Sequence, residues 1–122
     1  MITDTRSKRV LVADDEPQVR GVLARLLEEE GFEVVAAASD GVEAAELALQ
    51  HSPDAVLMDL RMPNLGGIDA TRRIHARQPD VRVVVLSAYE DPALKEEARN
   101  AGASMFLVKG CLASELVDAL SG

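Results

Sequence analysis

The sequence has few of the residues that mark specialised classes of protein. It contains one cysteine, Cys111, in 122 residues, so no internal disulfide can form. With no secretory segment either, we expect a cytoplasmic protein. The aromatic residues Phe32, Tyr89 and Phe106 are too few to build stacking platforms for bases. No apolar run approaches the roughly 20 residues of a membrane span. A net charge of −8 argues against nucleic-acid binding by this domain itself.

What the sequence does contain is a regular alternation of short apolar runs and segments of helical period. The apolar runs lack the polar alternation of half-exposed strands, which is typical of parallel strands covered on both faces. They predict strands at residues 10–13, 32–37, 55–60, 81–86 and 104–108, and helices at 17–30, 41–50, 68–78, 92–101 and 113–120. We therefore expect one three-layer α/β domain over residues 9–122 with a five-stranded parallel sheet, preceded by a flexible tail at residues 1–8.

The first predicted helix carries one apolar stripe that is expected to face the sheet. Its members are Val19, Val22, Leu23, Leu26 and Leu27. Glycines are predicted to end the first and fourth helices, at Gly31 and Gly102, because glycine readily adopts the left-handed conformation that follows a helix.

Charged residues stand where three of the apolar runs end. Asp14 and Asp15 follow the first run, Asp59 follows the third, and Lys109 follows the fifth. If the strands are parallel, these ends meet at one edge of the sheet, where ligands bind in open α/β folds. Three carboxylates crowded there repel one another and need positive charge, which Lys109 and a hard divalent cation would supply. That combination suits the chemistry of phosphate.

Each of these acids also has a purely structural interpretation. Asp14 and Asp15 precede Pro17, and acids followed by a proline are typical of a helix N-terminus. Asp59 could cap a turn, although a carboxylate directly after a buried strand also suits a nucleophile that forms an aspartyl-phosphate. The following loop contains Pro63 and two glycines, and its shape could aim backbone groups at an ion.

Nearly the whole chain resembles the receiver domain of bacterial two-component response regulators, a CheY-like family. The matching motifs are, in order, Asp14-Asp15, Asp59-Leu60-Arg61-Met62-Pro63-Asn64-Leu65-Gly66-Gly67, Ser87-Ala88 and Val108-Lys109. The resemblance implies a doubly wound sheet with the flavodoxin-like order 2-1-3-4-5, which periodicity alone does not select. It also implies a phosphorylation switch that catalyses its own modification and turns over no external substrate.

The resemblance assigns the central chemistry to the acids. Asp59 is expected to accept a phosphoryl group from the phosphohistidine of a partner histidine kinase. Asp14, Asp15 and Asp59, with a backbone carbonyl near Arg61, are expected to hold Mg²⁺, a small hard ion that keeps several waters and takes few carboxylates.

The resemblance also assigns roles to residues around the acids. Ser87 is expected to donate a hydrogen bond to the bound phosphoryl group, and Lys109 to pair with it. Ser87 and Phe106 are expected to form the switch, although an aromatic residue on a buried strand is also ordinary core. Arg61 and Tyr89 flank the approach to the phosphoryl group, and both are large enough to keep an attacking water away.

Two features bear on subclass and partners. The family often has a cis proline after the lysine, whereas this chain has Gly110, which leaves the geometry of that loop open. The Lys109-Gly110 ending and the alanine-rich helices are most similar to NarL/FixJ-like regulators. That subclass implies a helix-turn-helix DNA-binding output domain and control of transcription. Homodimers are expected through the face of the fourth helix, fifth strand and fifth helix, or through the first and fifth helices.

Two competing functions are a Mg²⁺-dependent phosphohydrolase and a degenerate receiver that only binds proteins. The hydrolase usually needs an acid two residues after the nucleophile, where this chain has Arg61. The complete set of acids, serine and lysine argues against the degenerate receiver.

Overall fold

The computed structural model describes residues 8–122, so the flexible tail predicted at residues 1–8 lies outside the described residues except for Lys8. Strands and helices alternate along the chain. The strands are β1 (Arg9–Ala13), β2 (Glu33–Ala38), β3 (Ala55–Asp59), β4 (Arg82–Ser87) and β5 (Met105–Val108). The helices are α1 (Pro17–Glu29), α2 (Gly41–His51), α3 (Gly67–Arg77), α4 (Pro92–Ala101) and α5 (Ala113–Ser121).

The five strands form one parallel sheet in the order β2-β1-β3-β4-β5, which confirms the predicted flavodoxin-like topology. Strand register aligns the carboxyl ends of the central strands. Ala13 pairs with Met58, and Asp59 pairs with Leu86. The last residue of β4, Ser87, pairs with Val108. Side chains that follow or end these strands therefore share one edge of the sheet.

Alternate residues of the central strands supply two hydrophobic cores, one on each face of the sheet. Leu11 and Val56 lie in the core with buried residues of α2, α3 and α4. Val10 and Leu57 lie in the other core with buried residues of α1 and α5. Burial of one such side chain contributes about 1.5–3 kcal/mol, so the two cores fix the sheet against both helical layers.

The two glycines predicted to end helices do so. Gly31 follows α1 with a φ of 98°, and Gly102 follows α4 with a φ of 110°. Both angles lie in the left-handed region, where a Cβ atom would be strained. The predicted ends of these helices are therefore confirmed.

The predicted apolar stripe of α1 is wrong at one position. Leu27 is fully buried, but Val22 is 66% exposed. At 3.6 residues per turn, five residues separate the two side chains by about 140° around the helix axis. A helix that packs on one face of a sheet cannot bury two side chains that lie so far apart around its axis, so Val22 faces away from the core.

Within residues 8–122, no helix has the length and apolar character needed to cross a lipid bilayer.

Candidate functional site

The aligned strand ends bring together the acids and the lysine singled out in the sequence. The Lys109 Nζ atom lies 3.2 Å from Asp59 Oδ1 and 3.6 Å from Asp14 Oδ2. Asp59 is the last residue of β3, Asp14 directly follows β1, and Lys109 directly follows β5. The β5 strand is two strands away from β3, so the long lysine side chain must reach across the end of β4.

Both carboxylates of this pair are almost completely buried, whereas the lysine is partly open to solvent. Asp14 is 1% exposed and Asp59 is 5% exposed. Burial, reinforced by the nearby charge of Asp14, raises the pKa of Asp59, and Lys109 only partly opposes this. Burial alone would lower the pKa of Lys109, but the charges of Asp59 and Asp14 outweigh it and raise that pKa. Lys109 therefore stays protonated between two acids that repel each other.

Asp14, Asp15 and Asp59 form a cluster with the chemistry of a hard-cation site. Each offers a carboxylate oxygen, and these oxygens lie within 4.8 Å of one another. Asp14 Oδ1 accepts a hydrogen bond from the Glu16 amide (2.9 Å). Asp14 Oδ2 is buried and has no hydrogen-bond partner within residues 8–122. The Lys109 ammonium lies 3.6 Å away, beyond hydrogen-bond distance, so a closer cation would satisfy this buried oxygen better. The donor set therefore fits a metal such as Mg²⁺.

The backbone of the first acid, Asp14, is held by a residue that the sequence did not indicate. The Arg20 guanidinium donates a hydrogen bond to the Asp14 carbonyl (2.8 Å). Arg20 lies one turn into α1, so the helix clamps the turn that carries the acids. Its position six residues after Asp14 is an ordinary helix position, and no sequence signal distinguishes it.

The loop from Leu60 to Gly66 leaves Asp59 and returns directly into α3. The Gly67 amide donates a hydrogen bond to the Leu60 carbonyl (2.9 Å). A Cβ atom at Gly67 would lie 2.2 Å from the Asp59 carbonyl oxygen, so only glycine fits there. Asn64 has a φ of 67°, in the left-handed region, and its side chain donates to Asp40 Oδ2 (2.8 Å). Sequence reasoning predicted the tight turn but missed Asp40.

Ser87 lies at the same edge, but its hydroxyl is engaged by its own loop. The Ser87 hydroxyl donates to the Tyr89 carbonyl (2.9 Å) and accepts from the Tyr89 amide (3.2 Å). Phe106 is half-buried on β5, pairs with Val85 of β4, and packs against the core beneath α4. Serine and phenylalanine therefore sit on neighbouring strands, with the serine closer to the acids.

Arg61 and Tyr89 stand at the mouth of the site. The Arg61 Cζ atom lies 5.8 Å from the centre of the Tyr89 ring, within cation–π range. A cavity of about 340 Å³ opens between them and is lined at its polar end by Asp59, Ser87 and Lys109. Both residues line this cavity, and Tyr89, which is 63% exposed, lines it on the solvent side.

The loop after Lys109 has no cis peptide, and none occurs elsewhere in the described part of the chain. Gly110 has a φ of 93°, so the chain turns there through a left-handed conformation. The glycine that replaces the family's usual proline supplies a turn that a proline could not form, because the proline ring fixes φ near −65°.

Comparisons with known proteins identify the family of this chain. The family model for the response regulator receiver domain matches residues 10–121. The chain is 47% identical over 113 residues to the transcriptional regulatory protein PdtaR of Mycobacterium tuberculosis, covering 93% of this chain and 55% of PdtaR. It is 40% identical over 114 residues to the chemotaxis protein CheY of Thermotoga maritima, covering 93% of this chain and 95% of CheY.

Solved structures give the same result. The signal receiver domain of the response regulator NarL from Mycobacterium tuberculosis superposes with a TM-score of 0.90 at 35% identity, covering 95% of this chain and 94% of that domain. The chain spans about half the length of PdtaR, so PdtaR has a further part with no counterpart in these 122 residues. The match over residues 10–121 and the shared fold place this chain in the family of response regulator receiver domains of two-component systems.

Proposed function

We propose that Asp59 is the phosphoryl acceptor of this receiver domain and that a histidine kinase is its donor. One observation carries the proposal: Lys109 Nζ lies 3.2 Å from the Oδ1 atom of the buried Asp59, beside a second buried acid. A carboxylate at the end of a buried strand, held by a lysine, can attack phosphorus. The lysine is then placed to pair with the phosphoryl oxygens.

The transfer is an in-line displacement that changes two bonds. A carboxylate oxygen of Asp59 forms a bond to phosphorus while the bond between phosphorus and the histidine nitrogen of the kinase breaks. The nitrogen keeps the electron pair of the broken bond. Lys109 balances charge on the phosphoryl oxygens. The Ser87 hydroxyl reaches the phosphoryl group only after it gives up its hydrogen bonds to the Tyr89 backbone.

The metal in this proposal is Mg²⁺, held by Asp14, Asp15, Asp59 and the backbone carbonyl of Arg61. The clustered carboxylate oxygens support this assignment, as does the Oδ2 atom of Asp14, which makes no hydrogen bond within residues 8–122 and has Lys109 Nζ only at 3.6 Å. When bound, Mg²⁺ would neutralise charge on the carboxylates and on the phosphoryl oxygens. Replacement of both Asp14 and Asp15 by asparagine should therefore weaken Mg²⁺ binding severely, as measured by titration with a spectroscopic probe.

The output signal depends on the change of hydrogen-bond partner at the Ser87 hydroxyl. When its hydroxyl turns to the phosphoryl group, the Phe106 ring moves into the vacated space and the α4-β5-α5 face changes. A partner or a second copy then binds there, with an α1-α5 dimer as the alternative. PdtaR is a transcriptional regulatory protein, which supports an output that controls transcription. The similarity of the Lys109-Gly110 ending to NarL/FixJ-like regulators is the ground for a helix-turn-helix DNA-binding output domain. In this scheme the domain works in the cytoplasm as a switch and turns over no external substrate.

The test uses acetyl phosphate as a small phosphodonor and counts phosphoryl groups per chain by intact-protein mass spectrometry. We expect one group per chain, dependent on Mg²⁺, and none on the Asp59→Asn variant. The Asp118→Asn variant is the matched control, because Asp118 is an exposed acid of α5, away from the strand edge that carries the site. Undiminished labelling of Asp59→Asn would remove the central assignment, and steady phosphate release without a stable label would favour a hydrolase.

A further inference from the structure

One short turn contacts both halves of the acidic site. It joins β2 to α2 and runs from Ala38 to Gly41. The Ala38 carbonyl accepts a hydrogen bond from the Asp14 amide (3.0 Å). Two residues later, Asp40 Oδ2 accepts a hydrogen bond from the Asn64 side chain (2.8 Å) in the loop that follows Asp59. The turn therefore connects the strand end that carries the first acids with the loop that leaves the third.

Asp40 is itself firmly fixed. Its Oδ1 atom accepts the Glu43 amide (2.7 Å) and caps α2. Glu43 reaches back in turn, and its Oε1 atom accepts the Ser39 amide (2.7 Å) and the Ser39 hydroxyl (3.1 Å). The Glu43 amide, with the Asn64 side chain, holds the pKa of Asp40 below its ordinary value. An ionised carboxylate that caps a helix and accepts a hydrogen bond at each oxygen is held rigidly.

The loop is shaped to meet that anchor. Asn64 has a left-handed φ of 67°, which asparagine tolerates better than most residues. The Leu65 amide donates to the Pro63 carbonyl (2.7 Å), which closes a tight turn next to it. At Gly41, a Cβ atom would lie 2.0 Å from the Leu65 carbonyl oxygen. The loop backbone thus packs directly on the first residue of α2, beside the Asp40–Asn64 hydrogen bond.

We propose that Asp40 and Asn64 are positioning residues that set the affinity of this receiver for Mg²⁺. They act through the loop, because Arg61 lies only three residues before Asn64 and its backbone carbonyl is the proposed ligand. This inference rests on the proposed function. Residues that orient metal ligands without touching the metal typically change affinity tenfold or more when removed, and here one ligand of several is affected. Removal of the Asp40–Asn64 hydrogen bond should therefore lower the affinity for Mg²⁺ by about threefold to tenfold.

The test is the Asn64→Gly variant, with Mg²⁺ titrated alone and followed by amide chemical shifts. Glycine accepts the left-handed φ and leaves the net charge unchanged, so the loss of the side-chain hydrogen bond is isolated. The matched control is Ser52→Gly at the end of α2, because Ser52 also has a left-handed φ, of 45°, and is exposed. We expect about a threefold to tenfold loss of affinity for Asn64→Gly and no change for Ser52→Gly.

A charge-neutral exchange provides the rescue. In the double variant Asp40→Asn with Asn64→Asp, the amide and the carboxylate trade places and asparagine still caps α2. We expect its Mg²⁺ affinity to return to within about twofold of the natural chain. Equal affinities for Asn64→Gly and the natural chain would overturn the proposal. Equal losses for Asn64→Gly and Ser52→Gly would also overturn it, because they would show a general effect of glycine.

Hydrogen exchange without metal distinguishes a failure of this inference from a failure of the proposed function. Hydrogen exchange of the Gly67 amide, which bonds to the Leu60 carbonyl, should be several-fold faster in Asn64→Gly and unchanged in Ser52→Gly. Failure of the natural chain to bind Mg²⁺ would contradict the proposed function. Unchanged Gly67 exchange in Asn64→Gly would show that the Asp40–Asn64 bond does not order the loop, whatever the metal does.

Discussion

The pair formed by Lys109 and Asp59 is predicted to be energetically coupled in the metal-free protein. The change is a double-mutant cycle with Lys109→Met, Asp59→Asn and both together. At 3.2 Å and an effective dielectric constant near 20, the attraction between the two charges is about 5 kcal/mol. The lysine side chain is 35% exposed, however, and solvent screens it. A coupling free energy of about 1–2 kcal/mol is what remains.

The single variants should move in opposite directions. Lys109→Met leaves Asp14 and Asp59 buried without a cation, so the free energy of unfolding should fall by about 2 kcal/mol after allowance for screening. Asp59→Asn removes a carboxylate that burial disfavours, so it should stabilise the protein. In the Lys109→Met background that gain should be larger by the coupling free energy, because no lysine then compensates the charge.

The assay is urea unfolding at neutral pH in buffer that contains a chelator, so that no metal contributes. Asp14 is present in every arm of the cycle, and its effect on the lysine largely cancels. If Asp59→Asn changes the free energy of unfolding equally in both backgrounds, within about 0.5 kcal/mol, the ion pair has no energetic role. The electrostatic account of the site would then be refuted.

Three further predictions concern the same edge of the sheet. The pKa of Asp59 is higher in the folded state than in the unfolded state, so the protein loses stability as Asp59 ionises, when pH rises from the unfolded-state pKa through the folded-state pKa. The gain in the free energy of unfolding from Asp59→Asn should therefore grow with pH across that window, measured by urea unfolding without metal. A gain that stays constant with pH would contradict this. Arg61→Asn with Tyr89→Glu should speed loss of the phosphoryl group several-fold at matched Mg²⁺ and pH, because the cation–π pair no longer excludes water; equal decay rates would rule out shielding. Gly67→Ala should lower the free energy of unfolding by about 1–3 kcal/mol, because the new Cβ atom would meet the Asp59 carbonyl oxygen. Gly21→Ala, at an exposed position of α1 with open space around it, should not lower it. Equal effects of the two variants in urea unfolding would contradict this reasoning.

The fold was largely predictable because its signals are local and repeated. Apolar runs of strand length alternate with helical periods, and glycines such as Gly31 stop helices for a reason visible in the sequence. Strand order was not predictable from periodicity, since two common orders fit the same alternation, and it came from family resemblance. The exposure of Val22 was missed because a period locates a stripe but does not say how wide the contact with the sheet is.

The candidate site was predictable in its members but less so in its supports. Asp14, Asp59 and Lys109 end apolar runs, and parallel strands bring such ends together. The contact of Asp40 with Asn64 joins two loops separated by 24 residues, and nothing in a local pattern specifies such a pair. A partial signal existed, because an acid three residues before Glu43 is typical of a capped helix start.

Locating the phosphoryl group chemically decides whether Asp59 is the acceptor. Borohydride reduces an aspartyl-phosphate to homoserine, and peptide mass spectrometry then locates the converted residue. After treatment with acetyl phosphate and Mg²⁺, we expect homoserine at residue 59, next to the Lys109 ammonium group, and at no other aspartate position. Conversion at Asp14 or Asp15, or a phosphoryl group that resists reduction because it sits on a serine or histidine, would contradict it.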